Sequence, residues 1–102
     1  MIAQIEQRLA DIAEVCVRHH VRRLELFGSA AQDRFDAARS DLDFLVEFGS
    51  LEPGGHADAY FGLLFSLEDL FGRKVDLVER SAIRNPYFWK AIEPTRQVLY
   101  AA

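Results

Sequence analysis

The chain has 102 residues, half of them apolar, with twelve Lys and Arg against sixteen Asp and Glu for a net charge of −4. That length holds one small core, the apolar share is ordinary globular content, and the acidic balance leaves no basic footprint for a nucleic-acid backbone, although a nucleotide carrying its own magnesium stays compatible. The single Cys16 excludes an internal disulfide, and with neither a secretory opening nor an apolar run of membrane length the chain reads as one cytoplasmic domain, residues 1–102, with no membrane and no direct nucleic-acid partner.

In chain order, Ile2, Ile5, Leu9, Ile12 and Cys16 recur at helical spacing with charged residues between them, which predicts an amphipathic helix over residues 2 to 19 with Cys16 on its buried stripe. His19 and His20 at its end read as surface residues, as do His56 and Lys74 further on. Val21 to Phe27 alternates as a half-buried strand, and Gly28 turns the chain into a short helix from Ser29 to about Phe35, followed by a polar connection over 36 to 40. Leu42 to Phe48 is the second strand, with Leu42, Phe44, Val46 and Phe48 on one face and Asp41, Asp43, Leu45 and Glu47 on the other.

Pro53-Gly54-Gly55 marks a turn, and from Asp58 or Ala57 the residues Tyr60, Leu64, Leu67 and Phe71 form the stripe of a second long helix that Gly72 stops. Val75 to Glu79 is a third strand, its Val75 and Leu77 toward the core and its Asp76 and Val78 away. Asn85-Pro86 opens a short helix through about Glu93, Pro94 ends it, and Gln97 to Tyr100 adds an edge strand. The expected architecture is a small mixed β-sheet backed by helices, an α/β (α+β) fold.

Three features of this chain carry chemistry. Asp41 and Asp43 leave one face of a strand roughly 7 Å apart; carboxylates so placed repel each other unless a cation lies between them, and hard oxygen ligands suit magnesium or manganese. Taken alone, Asp-x-Asp is equally the solvated start of a strand. Gly28-Ser29 allows close approach of backbone to an anion at a helix N-terminus, or is simply a tight turn capped by serine. Asp76 is a charge in a short strand expected to be largely buried, where a carboxylate needs a partner. If the third strand lies beside the second, Asp76 joins the same cluster.

Gly28-Ser29, then Asp41-Leu42-Asp43, then Asp76, with Ser40 and Leu45-Val46-Glu47-Phe48 flanking, resembles the minimal nucleotidyltransferases (MNT) of the DNA polymerase beta superfamily over nearly the whole chain. The resemblance implies transfer of a nucleoside monophosphate from a magnesium-bound triphosphate to a hydroxyl. Asp41, Asp43 and Asp76 would be the catalytic and metal-holding residues, with two magnesium ions, and Gly28 and Ser29 would bind the nucleotide. Small members of that family are commonly antitoxins that silence an all-helical ribonuclease toxin of the higher eukaryotes and prokaryotes nucleotide-binding (HEPN) family by attaching AMP from ATP to a tyrosine. The implied function is therefore a protein adenylyltransferase antitoxin with a HEPN toxin partner; the alternatives are a steric antitoxin without catalysis and transfer to a small molecule.

This chain departs from the family pattern at Gln32, where an arginine is common, and in the eleven residues between Ser29 and Asp41; Arg34 or Arg39 is a candidate replacement cation, or each is a solvated charge. Arg84-Asn85-Pro86-Tyr87-Phe88-Trp89 has the composition of an interface hot spot, or of packing beneath the last helix. The first alternative requires Tyr87 or Trp89 to be exposed, near a partner or the nucleotide base.

Overall fold

A computed structural model describes residues 2–32 and 41–102. Two short helices, α1 (Ala3–Glu6) and α2 (Leu9–Arg18), lead into β1 (Val21–Phe27); β2 (Leu42–Phe48), α3 (His56–Phe71) and β3 (Val75–Glu79) follow, and α4 (Pro86–Ile92) precedes β4 (Gln97–Ala101). The sheet has four strands in the order β3-β2-β1-β4. β1 runs antiparallel to both its neighbours, whereas β2 and β3 are parallel, a pairing that requires a long crossover such as α3 between them. The expected mixed sheet backed by helices is thus the observed one.

Alternation along the strands sorts their residues between two faces. Leu24, Leu26, Leu42, Phe44, Val46, Val75 and Leu77 pack with Ile5, Ile12, Val15, Cys16, Leu63, Leu67 and Phe71 into the main core, and Phe44 stacks on Phe71 with ring centroids 6.1 Å apart. The opposite face is covered only in part: Phe27, Leu45 and Ile92 form a second small cluster with Val78, Ile83 and Trp89 around α4. Cys16 is fully buried, and burial pushes its thiol up to about 12, which keeps it protonated and inert.

The strand bounds follow the sequence reading closely, and the helices depart from it in instructive ways. The helix expected over 2 to 19 is broken at Gln7 and Arg8: the Arg8 N–H turns back three residues to Ile5 O, and a new helix starts with Ile12 N–H on Arg8 O. The break rotates Leu9 off the apolar stripe and leaves it exposed. α3 begins at His56, two residues ahead of Asp58, and buries Ala59, Leu63, Leu67 and Phe71, while Tyr60 and Leu64 pack at its flank. Gly72 ends it in the left-handed conformation, φ +62, with its N–H on Glu68 O.

His19 is half-buried rather than a surface residue: its ring meets Ser66 Oγ at 3.1 Å, and burial first, then Arg18 and His20, hold its pKa below the usual imidazole value. His56 is exposed but has a partner, Glu79 Oε1 at 2.6 Å, and Lys74 is exposed as expected. Among the described residues no helix is long and apolar enough to cross a membrane.

Candidate active site

The open sheet face carries the residues singled out by sequence. Antiparallel register sets Phe27 opposite Asp43, and parallel register sets Asp43 beside Asp76, so one strand spacing of about 4.8 Å separates each pair of backbones. Asp43 is therefore flanked by the Gly28 turn on one side and by Asp76 on the other. Gly28 sits at φ +75, and a Cβ built there would lie 2.5 Å from Asp43 Oδ2; any larger residue would displace the carboxylate. The glycine thus serves an approach to Asp43 as well as any approach to an anion.

The electrostatics of the site centre on Asp43. Burial, then Asp76, then Asp41 raise its pKa to about 6. Asp41 stands exposed just ahead of β2, and Asp76 is also exposed, which corrects its expected burial: β3 is an edge strand, so its outward side chain faces solvent. A half-buried carboxylate whose described neighbouring charges are negative is costly until a cation arrives, and the oxygen-only donor set of Asp41, Asp43 and Asp76 suits a hard divalent ion. Among the described residues, however, no group of three or more His, Cys, Asp or Glu side chains is placed to hold a metal ion by itself.

Residues 28 to 32 form a turn in which Gln32 N–H donates to Ser29 O at 3.2 Å. The helix expected from Ser29 to Phe35 is a turn as far as Gln32; residues 33–35, the connection 36–40, Arg34, Arg39 and Ser40 lie outside the described residues. Gln32 itself is exposed.

The aromatic segment is divided by α4. Asn85 caps the helix, its Oδ1 accepting from Tyr87 N–H at 2.9 Å. Tyr87 is 80 % exposed, whereas Phe88 sets its edge on Phe27, 6.4 Å between centroids, directly before the glycine turn. Trp89 is half-buried with Arg80 3.7 Å and Arg96 4.8 Å from its ring centroid. Beyond α4 a cavity of about 300 Å³ is lined by Arg23, Glu25, Glu47, Arg80, Trp89 and Arg96, at the end of the sheet away from Asp43. Sequence reasoning missed Glu25, Arg80, Arg96 and Thr95, whose Oγ1 accepts from Gly28 N–H at 3.2 Å. Local pattern holds no signal for such pairings, because the partners are distant in sequence.

The profile of the nucleotidyltransferase domain family matches residues 7–99. The chain belongs to that family. Among its relatives, "Putative protein adenylyltransferase MJ0128" of Methanocaldococcus jannaschii is 42% identical over 76 residues, 74% of this chain and 74% of that protein. A solved "putative minimal nucleotidyltransferase" superposes with a TM-score of 0.68 at 29% identity, covering 90% of this chain and 89% of its own. A chain from the structure of tri-AMPylated Shewanella oneidensis HEPN toxin in complex with MNT antitoxin superposes with a TM-score of 0.64 at 17% identity, covering 96% and 73%. That last likeness is one of fold.

Proposed function

We propose that this chain is an antitoxin-type protein adenylyltransferase that transfers AMP from magnesium-bound ATP to a tyrosine hydroxyl of a partner HEPN ribonuclease toxin in the cytoplasm. The observation that carries the reading is Asp43, half-buried between the Gly28 turn and Asp76 with its pKa raised to about 6. At neutral pH a carboxylate so placed is ionised against its burial and its negative neighbours, and a bound cation relieves both.

On this reading Asp41, Asp43 and Asp76, together with the nucleotide's phosphate oxygens, would hold two magnesium ions, whose charge would offset that of the triphosphate and of the departing pyrophosphate. The Gly28-Ser29 turn receives the phosphates, and the exposed edge position of Asp76 leaves its carboxylate open to take the proton of the incoming hydroxyl. The tyrosine oxygen bonds the α-phosphorus as the bond to pyrophosphate breaks, giving adenylylated partner, pyrophosphate and a proton. Family membership and the name of the archaeal relative support the transferase reading. The similarly folded chain seen with an AMPylated HEPN toxin supports the choice of acceptor.

The test is the intact mass of a protein that co-purifies with this chain, before and after incubation with ATP and magnesium. A gain of one or more AMP units with the wild-type chain, absent with Asp41→Asn and Asp43→Asn, is the expected result. A tightly bound partner whose mass never changes would replace transfer with steric binding.

A further inference from the structure

The N–H of Gly28, the glycine at the head of the phosphate turn, is already engaged. It donates to Thr95 Oγ1 at 3.2 Å, and the Thr95 hydroxyl donates in turn to Ile92 O at 2.7 Å. With its one proton directed at Ile92, the hydroxyl can meet Gly28 only as an acceptor, so the roles in this chain of two bonds are fixed. Thr95 closes the 3₁₀ turn Glu93–Thr95 between α4 and β4. β1 lies against the 3₁₀ turn, and the threonine is tied to α4 through Ile92 O, so its bond to the Gly28 N–H ties the glycine turn to α4.

We infer that Thr95 is a positioning residue: it anchors the Gly28 turn at the distance from Asp43 that nucleotide binding needs, and it keeps the Gly28 N–H off the phosphates, which are received by N–H groups later in the turn. The inference rests on the nucleotide-binding reading above and deepens it. Through Ile92 it also ties the turn to α4, so that Phe88, packed on Phe27, and the phosphate turn move as one unit.

The experiment uses the ¹⁵N-labelled full chain as wild type, Thr95→Val and Thr95→Ser, with amide exchange and titration with magnesium and α,β-methylene-ATP followed by NMR. Valine keeps the shape and removes the acceptor. Thr95→Val is expected to speed Gly28 amide exchange about tenfold and to raise the Kd of the analogue about tenfold, while Thr95→Ser restores both to within about threefold. In the wild-type protein alone, the analogue is expected to shift the Ser29 and Ala30 amides more than that of Gly28. Unchanged Gly28 exchange in Thr95→Val, tighter analogue binding in that variant, or a Gly28 shift larger than those that follow it would each overturn the assignment. If the wild type binds no analogue while Gly28 exchange responds as stated, the nucleotide reading fails and the anchoring role stands.

Discussion

Two carboxylates on adjacent strands of the same open sheet face have opposite surroundings. Glu25 on β1 is 3 % exposed, yet Arg23 reaches it at 2.6 Å and Arg96 grips both its oxygens, so its burial is compensated. Asp43 on β2 is less buried, but the described charges acting on it, Asp76 and Asp41, are negative, and its pKa rises to about 6. A carboxylate ringed by guanidiniums is a rivet; one whose neighbours are carboxylates is the place where a cation would gain most. Burial of charge alone does not separate a structural carboxylate from a candidate site residue, and the sign of the neighbouring charges does.

The contrast breaks most sharply by mutation. Asp43→Asn is expected to lower AMP transfer by at least about a hundredfold while leaving the fold intact or slightly firmer, read from transfer rate and thermal melting together. Glu25→Gln is expected to do the reverse: it strands Arg23 and Arg96 beside a neutral group, at a cost of roughly 3 kcal/mol and a Tm lower by about 12 °C or more, with transfer per folded molecule kept within about threefold.

A smaller effect comes from pH. Without metal, Asp43 holds its proton more tightly in the folded chain, about 6, than at its ordinary value of 3.8. The stability this contributes is full below pH 3.8, fades as pH rises, and is lost once pH passes about 6. Screening at a half-buried group limits it to roughly 1 kcal/mol. Thermal melts from acid to neutral pH are expected to show Asp43→Asn gaining on the wild type as pH rises, and a gap that closes instead would reverse the sign. The smallest effect belongs to Tyr87→Ala. Its ring is 80 % exposed, so stability should move by less than about 0.5 kcal/mol, while the KM for a protein acceptor should rise if the ring is an interface anchor; an unchanged KM would remove it from the interface.

The same contrast shows how far sequence reached. Strand bounds and faces were legible because alternation reports them directly: Leu42, Phe44 and Val46 inward, Asp43 and Glu47 outward. Asp76 became a neighbour of Asp43 only through the parallel register, which a conditional reading of the third strand could state and not prove. Glu25 read as one polar step in a half-buried strand, because its compensating Arg96 lies 71 positions away. Thr95 read as nothing more than the residue after a helix-ending proline. The kink at Gln7 and Arg8 escaped because the apolar spacing continues unbroken across it, and hydrogen-bond geometry rather than periodicity decides where one helix becomes two.

The most direct test of the rivet and the site is calorimetric titration of wild type, Asp43→Asn and Glu25→Gln with magnesium and a non-hydrolysable ATP analogue under conditions where all three are folded. Wild type and Glu25→Gln are expected to bind with Kd values within about threefold of each other, and Asp43→Asn to bind at least about thirtyfold more weakly. Equal binding by Asp43→Asn and wild type would contradict the assignment of Asp43 to the nucleotide site.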